Sequence, residues 1–142
     1  MDFERVQAEW VLNRFPREQL PEVAAQAMMA GFEGPFILDL VSYAAPTLDR
    51  LKPQVVEGAF REMGLPPVTR PQAVVRLAQR EAARILRGDI FYLEGADRIL
   101  RLVQLLGWES LPRPLHPFRI LCYQGEMWHE RPTELAMRVR EV

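Results

Sequence analysis

The stretch Thr69-Arg70-Pro71-Gln72-Ala73-Val74-Val75-Arg76-Leu77-Ala78-Gln79-Arg80-Glu81-Ala82-Ala83-Arg84-Ile85-Leu86-Arg87-Gly88-Asp89 decides the fold class. Val74, Val75, Leu77, Ala78, Ala82, Ile85 and Leu86 recur at the period of an α-helix and cover one face. Thr69 carries a side-chain oxygen suited to an N-cap. Pro71 stands in the first turn, where a missing N–H costs nothing. Gly88 suits the left-handed residue that closes a helix. A second helical pattern follows at once, through Leu93, Ala96, Ile99, Leu100, Val103 and Leu106 to Gly107. Two helices joined by so short a connection are expected to pack as an antiparallel hairpin.

The same grammar runs back to the start of the chain. Phe3, Val6 and Trp10, with Leu12 and Phe15, predict a helix over residues 2–15, ended by Pro16. A second helix is expected from Pro21 to Ala30, closed by Gly31. Gly34-Pro35 opens a third through Phe36, Ile37, Leu40, Val41 and Tyr43, and Pro46 is read as its stop. Thr47 is then a candidate cap for Leu48 through Met63. That segment is broken near Lys52 by Pro53 and ended by Gly64.

Beyond Gly107 the pattern weakens. Three prolines between Leu111 and Pro117 predict an extended segment. Residues 118–124 read as a short helix in preference to a strand, because no strand partner is evident. Thr133 to Glu141 reads as a last helix. The expected fold is all-α: one domain over residues 1–142, a compact bundle of six or seven short helices, with the Pro-rich segment at 111–117 and a C-terminal tail at 118–142.

Bulk properties agree with an ordinary globular chain. The 142 residues are 49% hydrophobic and 26% charged, with a net charge of −1. That is too apolar and too weakly charged for intrinsic disorder. One cysteine, Cys122, excludes an internal disulfide. The start, Met1-Asp2-Phe3-Glu4-Arg5, lacks the basic-then-apolar layout of a signal peptide. No apolar run reaches the roughly 18–20 residues that span a bilayer. A soluble cytoplasmic protein without membrane contact is the expectation.

Two stretches carry a resemblance. Leu20-Pro21-Glu22-Val23-Ala24 is followed by Gly31-Phe32 and Pro35. Ala82-Ala83-Arg84-Ile85-Leu86-Arg87-Gly88 is followed by Glu94-Gly95-Ala96. Both resemble a recurring pattern in small uncharacterised bacterial helical proteins. The matching positions are helix boundaries and core residues, so the resemblance implies a helical fold and assigns no activity and no site.

The most suggestive chemical feature is a row of arginines. Of 18 basic residues only Lys52 is a lysine. Arg76, Arg80, Arg84 and Arg87 fall within an arc of roughly 80° on a helix, opposite its apolar face. Arg98 and Arg101 extend the row. Residues 70–101 carry seven basic and four acidic side chains, whereas residues 1–69 carry six and ten. Three uses follow from this polarity. The row is a solvated face with ion pairs to Glu81, Glu94 or Asp97. It is a docking surface for an acidic partner or a second copy. Or it contacts nucleic acid phosphates, a use disfavoured by the net negative charge and the lack of a nucleic-acid motif.

The tail gathers His116, Cys122 and His129 with Glu126 and Glu130. Zinc takes three or four such ligands, but the spacing matches no compact finger and no metalloprotease helix, so these are weak metal candidates. Trp10 and Trp108 are expected in the core. Trp128, beside Met127 and His129, is a candidate surface aromatic at an interface. Arg87-Gly88-Asp89 spells an adhesion tripeptide, yet a helix cap explains Gly88 there. Ser42 and Ser110 lack a nucleophile-elbow context, and no glycine-rich phosphate loop is present.

No catalytic residue and no cofactor is assigned. The leading expectation is a non-enzymatic helical protein acting through a protein partner or through self-association. The alternative is a nucleic-acid-associated protein using Arg76, Arg80, Arg84 and Arg87.

Overall fold

A computed structural model describes residues 1–106 and 112–115. The described residues are all-α, with six α-helices joined by short turns and no strand. They are α1 (Phe3–Val11), α2 (Leu20–Met29), α3 (Pro35–Ser42), α4 (Pro53–Glu62), α5 (Arg70–Leu86) and α6 (Tyr92–Gln104). The chain divides into two compact units, residues 1–68 and residues 69–142.

In the N-terminal unit α3 packs against both α2 and α4. Val6 of α1, Leu20, Val23, Ala24 and Ala27 of α2, Ile37 and Leu40 of α3, and Val56, Ala59 and Phe60 of α4 close one core. Each large aliphatic side chain fully buried there contributes about 1.5–3 kcal/mol relative to exposure. In the C-terminal unit α5 and α6 pack on each other. Ile85 lies over Gly95, and Glu81 reaches Arg98 at 3.9 Å. A side chain on Gly95 would collide with that of Ile85, so the glycine sets how closely the two helices approach.

Four helices end by one local device. Gly31, Gly64 and Gly88 adopt positive φ, and so does Asn13 at φ 57°. After each, a backbone N–H reaches back six residues' span into the helix: Arg14 to Glu9, Phe32 to Ala27, Leu65 to Phe60 and Asp89 to Arg84. These are Schellman closures, which satisfy the last carbonyls. Asn13 ends the first helix at Val11, well before Pro16. The expected helix over residues 2–15 is therefore too long. Asn tolerates the left-handed conformation through its short polar side chain, and this local choice acts before the proline.

Two further boundaries differ from expectation. The third helix ends at Ser42 and not at Pro46. Pro46 instead lies in the first turn of a 3-10 helix over Ala45–Arg50. Thr47 caps no α-helix: its hydroxyl accepts from the Ala44 N–H and donates to the Ala44 carbonyl, both at 3.0 Å. The chain is extended at Lys52, and α4 starts afresh at Pro53. In the Pro-rich segment Arg113–Leu115 form one 3-10 turn where an extended chain was expected. One turn needs only the N–H of Leu115, which donates to the Pro112 carbonyl at 2.9 Å, so neither proline's missing donor is required. Gly107 and the readings over residues 118–124 and 133–141 lie outside the described residues.

Candidate functional site

The arginine row is held by α5 and α6. Thr69 begins α5 with a reciprocal capping box: its hydroxyl accepts from the Gln72 N–H at 3.3 Å, and the Gln72 side chain accepts from the Thr69 N–H at 2.9 Å. From that start Arg76, Arg80 and Arg84 fall along α5, Arg87 falls at its C-cap, and Arg98 and Arg101 sit on α6.

Four of these arginines are paired with carboxylates of α5, of α6 and of the turn between them. Arg84 meets Glu81 at 3.3 Å, and Arg98 reaches the same carboxylate at 3.9 Å. Arg98 also binds Glu94 at 2.7 Å, and Arg101 binds Asp97 at 3.0 Å. Arg87 pairs with Asp89 at 3.0 Å. Arg76 and Arg80 are partly buried and also have partners. Glu81 is the hub, with its side chain only 14% exposed. The acid shared between the two helices ties α6 to α5, and the cationic row is largely neutralised where it stands.

What remains exposed beside it is apolar. Phe91, Tyr92 and Leu93 are 62%, 40% and 37% exposed, and the rings of Phe91 and Tyr92 lie 4.8 Å apart. For Tyr92 the cause is a difference in helix reach, since Phe91 is the N-cap and Leu93 lies on another face. Tyr92, Ala96, Ile99 and Val103 follow one stripe of α6. Ile85 covers Gly95, one turn later, and α5 stops at Leu86. The first turn of α6 thus continues its core stripe past the end of the neighbouring helix. Sequence periodicity contains the stripe but not the point where its cover ends.

A second feature lies wholly in the N-terminal unit. A cleft of about 510 Å³ is lined by Trp10, Val11 and Phe15, by Pro53 and Phe60, by Leu65, Pro67 and Val68, and by the polar Gln7, Asn13, Arg17 and Glu57. One wall is set by Gln7, which is buried and donates its side-chain amide to the Pro66 carbonyl at 2.8 Å. This bond holds the Leu65-Pro66-Pro67-Val68 segment near α1. The left-handed turn at Asn13 brings Phe15 and Arg17 back towards Trp10, whose ring centroid lies 5.9 Å from the Arg17 guanidinium carbon. Trp10 is only partly buried: it packs against the core and also lines the cleft. Among the described residues the lining holds no Ser, Thr, Cys, His or Lys side chain, and Glu57 is its one carboxylate.

His116, Cys122, His129 and Trp128 lie outside the described residues. Among the described residues no group of three or more His, Cys, Asp or Glu side chains is placed to hold a metal ion. None of the helices described is long and apolar enough to cross a membrane.

No protein family, curated protein or solved structure matches this chain. The resemblance of the Leu20–Pro35 and Ala82–Ala96 stretches to small bacterial helical proteins is a likeness of pattern, and it brings neither an origin nor an activity.

Proposed function

We propose that this protein acts by binding another protein, without chemistry on a substrate. The exposed Phe91-Tyr92-Leu93 surface at the start of α6 carries the reading. Aromatic side chains supply large contact area with few rotatable bonds and are enriched where proteins meet. The neighbouring charges are already answered, Arg87 by Asp89 and Arg98 by Glu94, so a partner docking on the aromatic surface strands neither arginine.

This moves the proposed contact from the arginine row to the apolar surface at its edge. The nucleic-acid alternative has less support, because phosphate would have to displace carboxylates already seated on Arg84, Arg98 and Arg101.

Affinity capture from cells, comparing the parent with Phe91→Asp and Leu93→Asp, tests the reading. A partner retained by the parent and lost by both variants supports it. The same set retained by all three overturns it. Light scattering after size exclusion shows whether that partner is a second copy, as a dimer that dissociates in the same two variants.

A further inference from the structure

The cleft of the N-terminal unit carries two charges that no other described side chain answers. Arg17 touches the Trp10 ring but forms no ion pair or side-chain hydrogen bond among the described residues, and the same holds for Glu57. Both line a cavity whose remaining walls are mostly aromatic, aliphatic and proline side chains. A guanidinium held over an indole is partly oriented before any ligand arrives, and its planar fork matches a carboxylate. The Glu57 carboxylate offers the opposite match, for an ammonium group.

The signs limit the ligand. An uncharged apolar molecule filling the cleft takes water from Arg17 and Glu57 and returns nothing. A simple apolar carboxylate meets Arg17 but faces Glu57, and a simple amine meets Glu57 but faces Arg17. A ligand with both charges on an apolar body answers each group. The volume of about 510 Å³ falls within the range of small-molecule clefts.

We propose that this cleft binds a small zwitterion with an apolar body, its carboxylate on Arg17, its ammonium on Glu57 and its apolar part against Trp10, Phe15 and Phe60. The two common sources of that chemistry are a free apolar amino acid and a short apolar peptide with free ends.

The test is an NMR titration of the full chain, following the Trp10 indole resonance, assigned by its loss in Trp10→Phe. The probes are L-phenylalanine, the dipeptide phenylalanyl-leucine, and the N-acetylated and C-amidated forms of each. One of the two free zwitterions is expected to move the Trp10 resonance at millimolar concentration or below, and the tighter of the two names the source. Blocking either end is expected to weaken binding about tenfold, the loss of one charge-assisted hydrogen bond. Arg17→Gln should bind free acid and C-amide alike, and Glu57→Gln should bind free amine and N-acetyl forms alike. Both side chains are exposed, so thermal melts of these variants should match the parent. Blocked probes binding as tightly as free ones, no response of Trp10 to either zwitterion, or unchanged end-group discrimination in both variants overturns the proposal.

Discussion

The Glu62 carboxylate caps a helix 25 residues away in sequence: its Oε1 accepts from the Ile37 N–H at 2.8 Å and its Oε2 from the Phe36 N–H at 3.2 Å. Glu62 is the last residue of α4, and Phe36 and Ile37 open α3. Gly34, at the N-cap of α3, has no side chain to do this work. The carboxylate therefore satisfies two free donors of α3, places negative charge at its positive end and joins the two helices. Glu62→Ala should destabilise the N-terminal unit by about 1–2 kcal/mol, read as a lower urea midpoint. Glu62→Gln, which keeps one acceptor, should lose less.

Gly34 is tied to the same carboxylate by space and not by backbone conformation. Its φ of 162° is extended backbone that any residue adopts. A Cβ there would run into the Glu62 carboxylate. Gly34→Ala should cost about 1–2 kcal/mol in the parent, by pushing the cap away from its donors. In the Glu62→Ala background it should cost far less. A double-mutant cycle by urea denaturation reads the coupling, and additive losses would contradict the arrangement.

Glu81 should matter more than the other acids of the arginine row. It is mostly buried and touches both Arg84 and Arg98, whereas Asp97 and Arg101 pair in solvent. Glu81→Gln is expected to cost about 1 kcal/mol or somewhat more, since it takes the carboxylate from Arg84 and the second, longer contact from Arg98, which keeps Glu94. Asp97→Asn should stay within about 0.5 kcal/mol. Raising the salt should shrink the small Asp97 effect more than the Glu81 effect, because exposed pairs are screened more strongly. Thermal melts at two ionic strengths separate the two.

The exposed surface at the start of α6 should be separable from folding. Leu93→Gln should change stability by less than about 0.5 kcal/mol, and Phe91→Ala by up to about 1 kcal/mol through loss of the ring pair with Tyr92. Both should reduce binding of a dye that reports exposed apolar surface. An unchanged dye signal would mean that these side chains form no continuous apolar surface.

Duplex and single-stranded DNA should show no salt-dependent affinity for the protein at low ionic strength. The acids beside Arg84, Arg87, Arg98 and Arg101 leave few counterions to release. Fluorescence polarisation with labelled strands reads this directly. A binding constant that falls steeply with salt and weakens in Arg76→Ala and Arg80→Ala would return the nucleic-acid reading to first place.

The features legible in the sequence are those whose cause is local. Thr69 and Pro71 start α5, and Gly31, Gly64 and Gly88 close helices, because capping oxygens, fixed proline φ and left-handed glycine act within a few residues. Most of the core stripe of α5 was legible too: Val74, Leu77, Ala78, Ala82 and Ile85 are buried, whereas Val75 and Leu86 are only partly so and the buried Ala73 is missing from the predicted stripe. Asn13 is the instructive exception. It carries a local signal for a left-handed turn, but Pro16 offers a stronger one just beyond it. The 3-10 segments at Arg17–Gln19, Ala45–Arg50 and Arg113–Leu115 escaped because runs of three to six residues leave too little periodicity to read.

The candidate sites divide differently. The sequence alone placed six arginines on two helical faces and polarised the charge along the chain, because helical geometry converts spacing into direction. Only the tertiary structure decided that Arg84 and Arg98 share Glu81, that α5 ends before it can cover Tyr92, that Glu62 caps α3, and that Trp10, Arg17 and Glu57 line one cleft. Each of these joins residues from separate elements, or depends on where a neighbouring element stops. Local propensity carries no information about such distances; they are set by how whole helices pack once their apolar faces have met.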